Sequence, residues 1–107
     1  MGNRIYISGA ISGNPEYMQD FYRAELDLMS RYIETGWKYT EIVNPAKVSN
    51  VLPASFTYED YMYIDIMLLS KCDAIYMLSN YKQSRGALAE LIMAKQLGLE
   101  IFYEEGE

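Results

Sequence analysis

Asp73-Ala74-Ile75-Tyr76-Met77-Leu78, the run Ser84-Arg85-Gly86-Ala87-Leu88-Ala89-Glu90-Leu91-Ile92-Met93-Ala94-Lys95-Gln96-Leu97-Gly98, and Leu99-Glu100-Ile101-Phe102-Tyr103 follow one another in the last third of the chain. The first and third runs are short, apolar and rich in β-branched and aromatic residues, as buried strands are. The middle run opens on a serine suited to cap a helix and stops at a glycine suited to end one. Strand, helix, strand in that order predicts a parallel βαβ unit with a right-handed crossover.

Working outward, Arg4-Ile5-Tyr6-Ile7-Ser8 reads as another buried strand, and Gly9 to Pro15 as a loop of small and turn-forming residues. From Glu16 to about Thr35 apolar residues recur at helical spacing. Phe21, Leu28 and Tyr32 form one row, with Tyr22, Leu26, Met29 and Ile33 beside it; Gly36 ends the helix. Tyr39 to Val43 reads as a strand closed by Asn44-Pro45, and residues 46–56 as a loop. Thr57 and Asp60 have the spacing of a capping box, so a helix is expected from Tyr58 to Lys71. Ser79 to Gln83 is a polar loop. The alternation β-α-β-α-β-α-β over 107 residues predicts one three-layer α/β domain, a small doubly wound parallel sheet of the Rossmann or flavodoxin kind. Ligands of such sheets bind at the carboxyl ends of the strands. Loops 9–15, 44–56 and 79–85 should meet there.

Composition narrows the chemistry. The net charge of -6 argues against a nucleic-acid polymer or an anionic membrane as partner. One cysteine, Cys72, allows no internal disulfide and fits a reducing, cytoplasmic setting. No stretch reaches membrane-spanning length. With no histidine, the histidine-dependent triads and usual zinc sites are excluded. Acid–base work falls to carboxylates, tyrosine, lysine or Cys72, and Cys72 reads as core. Eleven tyrosines against three phenylalanines suit clefts and subunit contacts. Tyr58, Tyr61 and Tyr63 are assigned to packing or an interface, and the acidic tail to solvent.

Two carboxylates break the apolar pattern. Asp65 sits in Tyr61-Met62-Tyr63-Ile64-Asp65-Ile66-Met67-Leu68-Leu69 with no lysine or arginine within a turn. It either faces solvent or a distant arginine, or serves a site; so apolar a helix favours the site. Glu90 has Gly86, Ala87, Met93, Ala94 and Leu97 as helical neighbours. Spacing leaves open an exposed glutamate paired with Lys95 or Arg85 and a site carboxylate with room for a ligand. Ser84-Arg85-Gly86 is either a plain serine cap or an anion site at a helix N-terminus. The loop Ser8-Gly9-Ala10-Ile11-Ser12-Gly13 is small enough to wrap a ligand, but lacks the spacing of the known phosphate loops.

Taken together, five short motifs resemble the nucleoside 2-deoxyribosyltransferase superfamily across almost the whole chain. They are Ile5-Tyr6-Ile7-Ser8-Gly9 with Ile11-Ser12-Gly13, Asn44-Pro45-Ala46, Tyr61-Met62 through Asp65, Cys72-Asp73-Ala74-Ile75-Tyr76, and Ser84-x-Gly86-x-x-x-Glu90. The nearest likeness is to a branch common in bacteria and their phages. The last motif is like that of the 2'-deoxynucleoside 5'-monophosphate N-glycosidases. The resemblance implies Glu90 as nucleophile and Ser84 and Gly86 as phosphate holders. Asp65, eight residues before Asp73, would be a catalytic aspartate, and Tyr6 a tyrosine lining the site. It departs where those enzymes carry a serine and an arginine in the first loop, here Ala10 and Ser12, and between Asp73 and Glu90, one residue longer here. Arg85 would restore a positive charge.

The expected function is therefore cleavage or transfer of the N-glycosidic bond of a nucleoside or nucleoside 5'-monophosphate. Catalysis would fall to Glu90, Asp65 and Tyr6. Substrate contacts would come from Ser8, Gly9, Ile11, Ser12, Gly13, Asn44, Ser84, Arg85 and Gly86, with neither metal nor organic cofactor. A homodimer or larger homo-oligomer is expected from the same likeness. The alternative is a protein that binds or sequesters a nucleotide-derived signal on this fold without turning it over.

Overall fold

The computed structural model describes residues 2–105. Its four strands are β1 (Arg4–Ser8), β2 (Glu41–Val43), β3 (Ala74–Met77) and β4 (Glu100–Tyr103). They form one all-parallel sheet in the order β2-β1-β3-β4. The helices are α1 (Tyr17–Thr35), α2 (Pro45–Val51), α3 (Tyr58–Ser70) and α4 (Arg85–Leu97), with a single 3-10 turn at Tyr81–Gln83. This is the flavodoxin-like α/β architecture expected of the alternating pattern.

The period of two along a strand sorts its side chains between two cores. Ile5 and Ile7 of β1 join Tyr76, Leu78, Phe21, Ala24 and Leu28 on the α1 side. Tyr6 joins Ile75, Met77, Leu69, Ala87, Leu91 and Ala94 on the side of α3 and α4. Ser8, two residues beyond Tyr6, therefore points the same way as Tyr6, towards α4. β1 and β3 are the central strands, and nearly every residue of theirs is buried.

Helix ends follow their signals. Gly36 and Gly98 close α1 and α4 in the left-handed conformation (φ 72° and 75°) that glycine adopts without strain. Thr57 and Asp60 form the expected reciprocal capping box on α3.

Four expectations need correction. Residues 45–51 form helix α2, where a loop was expected. Asn44 accepts from the Ala46 N–H at 3.0 Å and Pro45 takes the first helical position, so Asn-Pro here starts a helix and is not merely a turn. β2 begins only at Glu41, because Tyr39 turns into the core, donates to Glu100 and packs edge-on against Trp37 and Phe102. On α1 the buried face is completed by Ala24, while Tyr22, Leu26 and Ile33 are exposed. The tail is not simply solvated: Glu104 accepts from the Ser79 N–H at 2.8 Å and pairs with Arg23 at 2.9 Å. Gly106 and Glu107 lie outside the described residues. No helix among the described residues is long and apolar enough to cross a membrane.

Candidate functional site

The chain leaves β1 for β2 on one side and later returns to β3 on the other. The carboxyl ends of β1 and β3 therefore flank the switch in strand order, where a crevice is expected. A cavity of about 470 Å³ opens there, within the range of small-molecule sites, roughly 300–1,000 Å³. The three loops named from sequence do meet in it. The first contributes Gly9, Ile11 and Ser12, the second Pro45 and Ser49, the third Gln83, Ser84 and Arg85.

Glu90 forms part of its wall and is only 5% exposed. That excludes an ordinary surface glutamate paired with Lys95 or Arg85. Its partners are instead two hydroxyls from β1. Tyr6 Oη donates to Oε2 at 2.9 Å, and Ser8 Oγ donates to Oε1 at 2.6 Å. Both hydroxyls belong to side chains with no exposed surface. Burial pushes the Glu90 carboxyl up to about 8; the two hydrogen bonds pull in the other direction and the nearby Asp65 adds to the rise. Tyr6 in turn holds its proton well above the usual range, first from burial and then from the Glu90 charge. It is thus a donor to Glu90 at any ordinary pH.

Asp65 also lines the cavity and is 6% exposed. No side-chain or backbone group among the described residues donates a hydrogen bond to it, yet neither of its oxygens is sealed off and unsatisfied. Its carboxyl therefore looks into the cavity. Burial alone lifts it to about 7. Burial thus holds both carboxyls well above the ordinary carboxylate range. Such a pair can accept a proton at one oxygen and supply it at another without any histidine.

The N-terminus of α4 forms another side of the cavity. Ser84 caps the helix by accepting from the Ala87 N–H at 3.1 Å. Its role as a cap is settled, and the same residue lines the cavity. Arg85 lies over the Tyr58 ring, 5.6 Å from the centroid, which restrains its guanidinium at the cavity edge. At Gly86 an added Cβ would come within 3.3 Å of the Met62 sulfur and 3.5 Å of the Tyr58 hydroxyl. The missing side chain keeps this wall open. Helix dipole, free terminal N–H groups and a guanidinium make this end suited to an anion.

Other expected contacts fall elsewhere. Tyr6 and Ser8 stand behind Glu90 and not on the cavity surface. Gly13 makes an exposed turn at φ 75° away from the cavity. Asn44 caps α2 and donates to Glu25 at 3.0 Å. Gly9 lines the cavity, but its glycine serves packing: an added Cβ would stand 2.7 Å from a Leu78 methyl. Sequence reasoning did not name Tyr17, Phe21, Pro45, Ser49, Met62, Gln83 and Ala87 as site residues, and it assigned Tyr58 and Tyr61 to packing or an interface. Tyr63, the third of that trio, lies outside the cavity at 78% exposure, and Tyr58 lines the cavity while remaining 42% exposed. The signal for Tyr58, Tyr61 and Met62 was helical spacing to Asp65, at seven, four and three residues. Cys72 is buried, donates to the Leu68 carbonyl and is pushed up to about 11, an inert core thiol.

The family described as a domain of unknown function, DUF4406, matches residues 3–103, nearly the entire chain, and the chain belongs to it. No curated protein matches the chain.

Proposed function

We propose that this DUF4406 chain cleaves the N-glycosidic bond of a nucleoside or nucleoside 5'-monophosphate, with Glu90 as nucleophile. One observation carries the reading. A carboxylate is buried in a cavity wall, gripped at both oxygens by hydroxyls, and faces a space that it shares with a second carboxyl, one without a hydrogen-bond partner among the described residues. The resemblance to the nucleoside 2-deoxyribosyltransferase superfamily, especially Ser84-x-Gly86-x-x-x-Glu90, supports the same chemistry.

In the proposed reaction Glu90 attacks the anomeric carbon as the bond to the base breaks, giving a glycosyl ester. The transition state resembles an oxocarbenium ion. Its positive charge favours ionised Glu90, offsetting the burial that raises its proton affinity. The proton that Glu90 gives up passes to Asp65, which delivers it to the departing base. Water then hydrolyses the ester, or a second base takes the sugar. The α4 N-terminus with Arg85 would hold a 5'-phosphate where one is present. The likeness also suggests a second copy of the chain as partner. Exposed Tyr63 and Met67 on α3 are the natural contact.

The test is chromatography for free base after incubation with the common nucleosides and deoxynucleotides. Base release should fall about 10³-fold or more in Glu90→Ala. No release from any substrate, together with tight binding of an unchanged nucleotide, would favour a sequestering protein.

A further inference from the structure

We propose that Ser8 is a positioning residue: its hydroxyl fixes one oxygen of Glu90 and favours the ionised carboxylate over the protonated one. From sequence Ser8 was assigned to substrate contact, but it does not reach the cavity surface. Its side chain has no exposed surface, and its hydroxyl bonds to Glu90 Oε1 at 2.6 Å. Such a short bond from a hydroxyl to a carboxylate is of the charge-assisted kind.

Ser8 is held in place by the sheet. It stands opposite Met77 in the β1–β3 register, and its carbonyl accepts from the Leu78 N–H at 2.8 Å. Strand period puts Tyr6 and Ser8 on one face, two residues apart, so one strand delivers one hydroxyl to each oxygen of the same carboxyl. Two donors on two oxygens fix the plane of Glu90. They also oppose the burial that favours its neutral form. Tyr6 alone would leave Oε1 unbound and the carboxyl free to rotate.

Among the described residues, six other ionisable groups bond to Glu90 or line its cavity. Tyr6 comes from β1, Asp65 from α3, and Arg85 from the start of α4. Tyr58 and Tyr61 of α3 and Tyr17 of α1 line the same cavity. Of these, burial lifts Asp65 to about 7 and Glu90 to about 8. A change in Glu90 titration on altering Ser8 can be separated from Asp65 by repeating the comparison in an Asp65→Asn background.

The inference rests on the proposed role of Glu90 for its consequence in catalysis, but its test does not. The titration of Glu90 is followed by carboxyl ¹³C NMR, with its resonance assigned by its loss in Glu90→Gln. In Ser8→Ala the midpoint should rise by roughly one to two pH units, the size expected for losing one hydrogen bond to a charged group. Ser8→Thr keeps the hydroxyl and should stay near the parent value; Ser8→Cys, a weaker donor, should fall between. If Ser8→Ala fails to fold, the Thr and Cys pair decides. A midpoint unmoved in a folded Ser8→Ala, or equal in Thr and Cys, overturns the proposal. If base release is found, the limb of its pH profile set by Glu90 should move with the same midpoint. If none is found, the NMR result still stands or falls alone.

Discussion

At the scale of single residues, the two buried carboxyls set opposing demands on stability and site. Both hold protons more tightly folded than unfolded, pushed up to about 7 for Asp65 and about 8 for Glu90 by burial first. Between the ordinary carboxylate range and these values the folded chain binds more protons, so stability falls as pH rises through that window. Asp65→Asn removes the burden of a buried charge above it. Its melting temperature at pH 9 should therefore exceed the parent's by several degrees, about 4–8 °C for each kcal/mol in a domain of this size. The gap should shrink at pH 5. A variant less stable than the parent at pH 9 would show that Asp65 has a partner which burial and hydrogen bonding do not reveal. Asp65 was legible in the sequence, because a charge inside an unbroken apolar helix has few explanations. Glu90 was half legible: its small neighbours were visible and the family likeness put Tyr6 beside it, but the Ser8 half of its clamp was not foreseen. Tyr6-x-Ser8 carried that information as two hydroxyls at strand spacing. A strand's facing partner, however, is fixed by tertiary packing and not by the strand itself.

At the scale of elements, the glycines separate packing from site. Gly86→Ala relieves the helical cost of glycine, about 0.5–1 kcal/mol, and its Cβ meets Met62 and Tyr58 side-chain atoms that can yield and touches Ser84 Oγ at ordinary contact distance. Its melting temperature should hold or rise, while affinity for a nucleoside monophosphate, read by calorimetry, should drop. Gly9→Ala should do the reverse of a site mutation. Its Cβ presses on Leu78, whose side chain is fixed in the core, and about 1–3 kcal/mol of stability should be lost, measured by urea unfolding. The element borders were readable wherever a local signal governs them. The capping box at Thr57 and Asp60 and the terminal glycines of α1 and α4 are such cases. The Asn44-Pro45 start of α2 was missed because that dipeptide serves turns and helix starts equally. β2 was drawn too long because the core recruits Tyr39 for the ring cluster with Trp37 and Phe102.

At the scale of the whole molecule, the parallel sheet brings three sequence-distant loops to the ends of β1 and β3 and places one cavity there. The alternation of strands and helices foretold that meeting point. The tyrosines that close the cavity were not foretold, since the apolar residues of α3 mark no single face and only spacing from Asp65 points inward. Tyr63 and Met67 remain outward on that helix. Replacing both by aspartate should lower the mass seen in sedimentation, if the second copy docks there; unchanged mass would place the contact elsewhere. The central claim is that Glu90 becomes covalently linked to the sugar. Acid-quenching a reaction during turnover and taking the mass of the protein and its peptides tests it most directly. The account predicts a mass gain of one sugar, or one sugar phosphate, on the peptide carrying Glu90, absent in Glu90→Gln. Base release with no adduct on Glu90, and undiminished in Glu90→Gln, would contradict it.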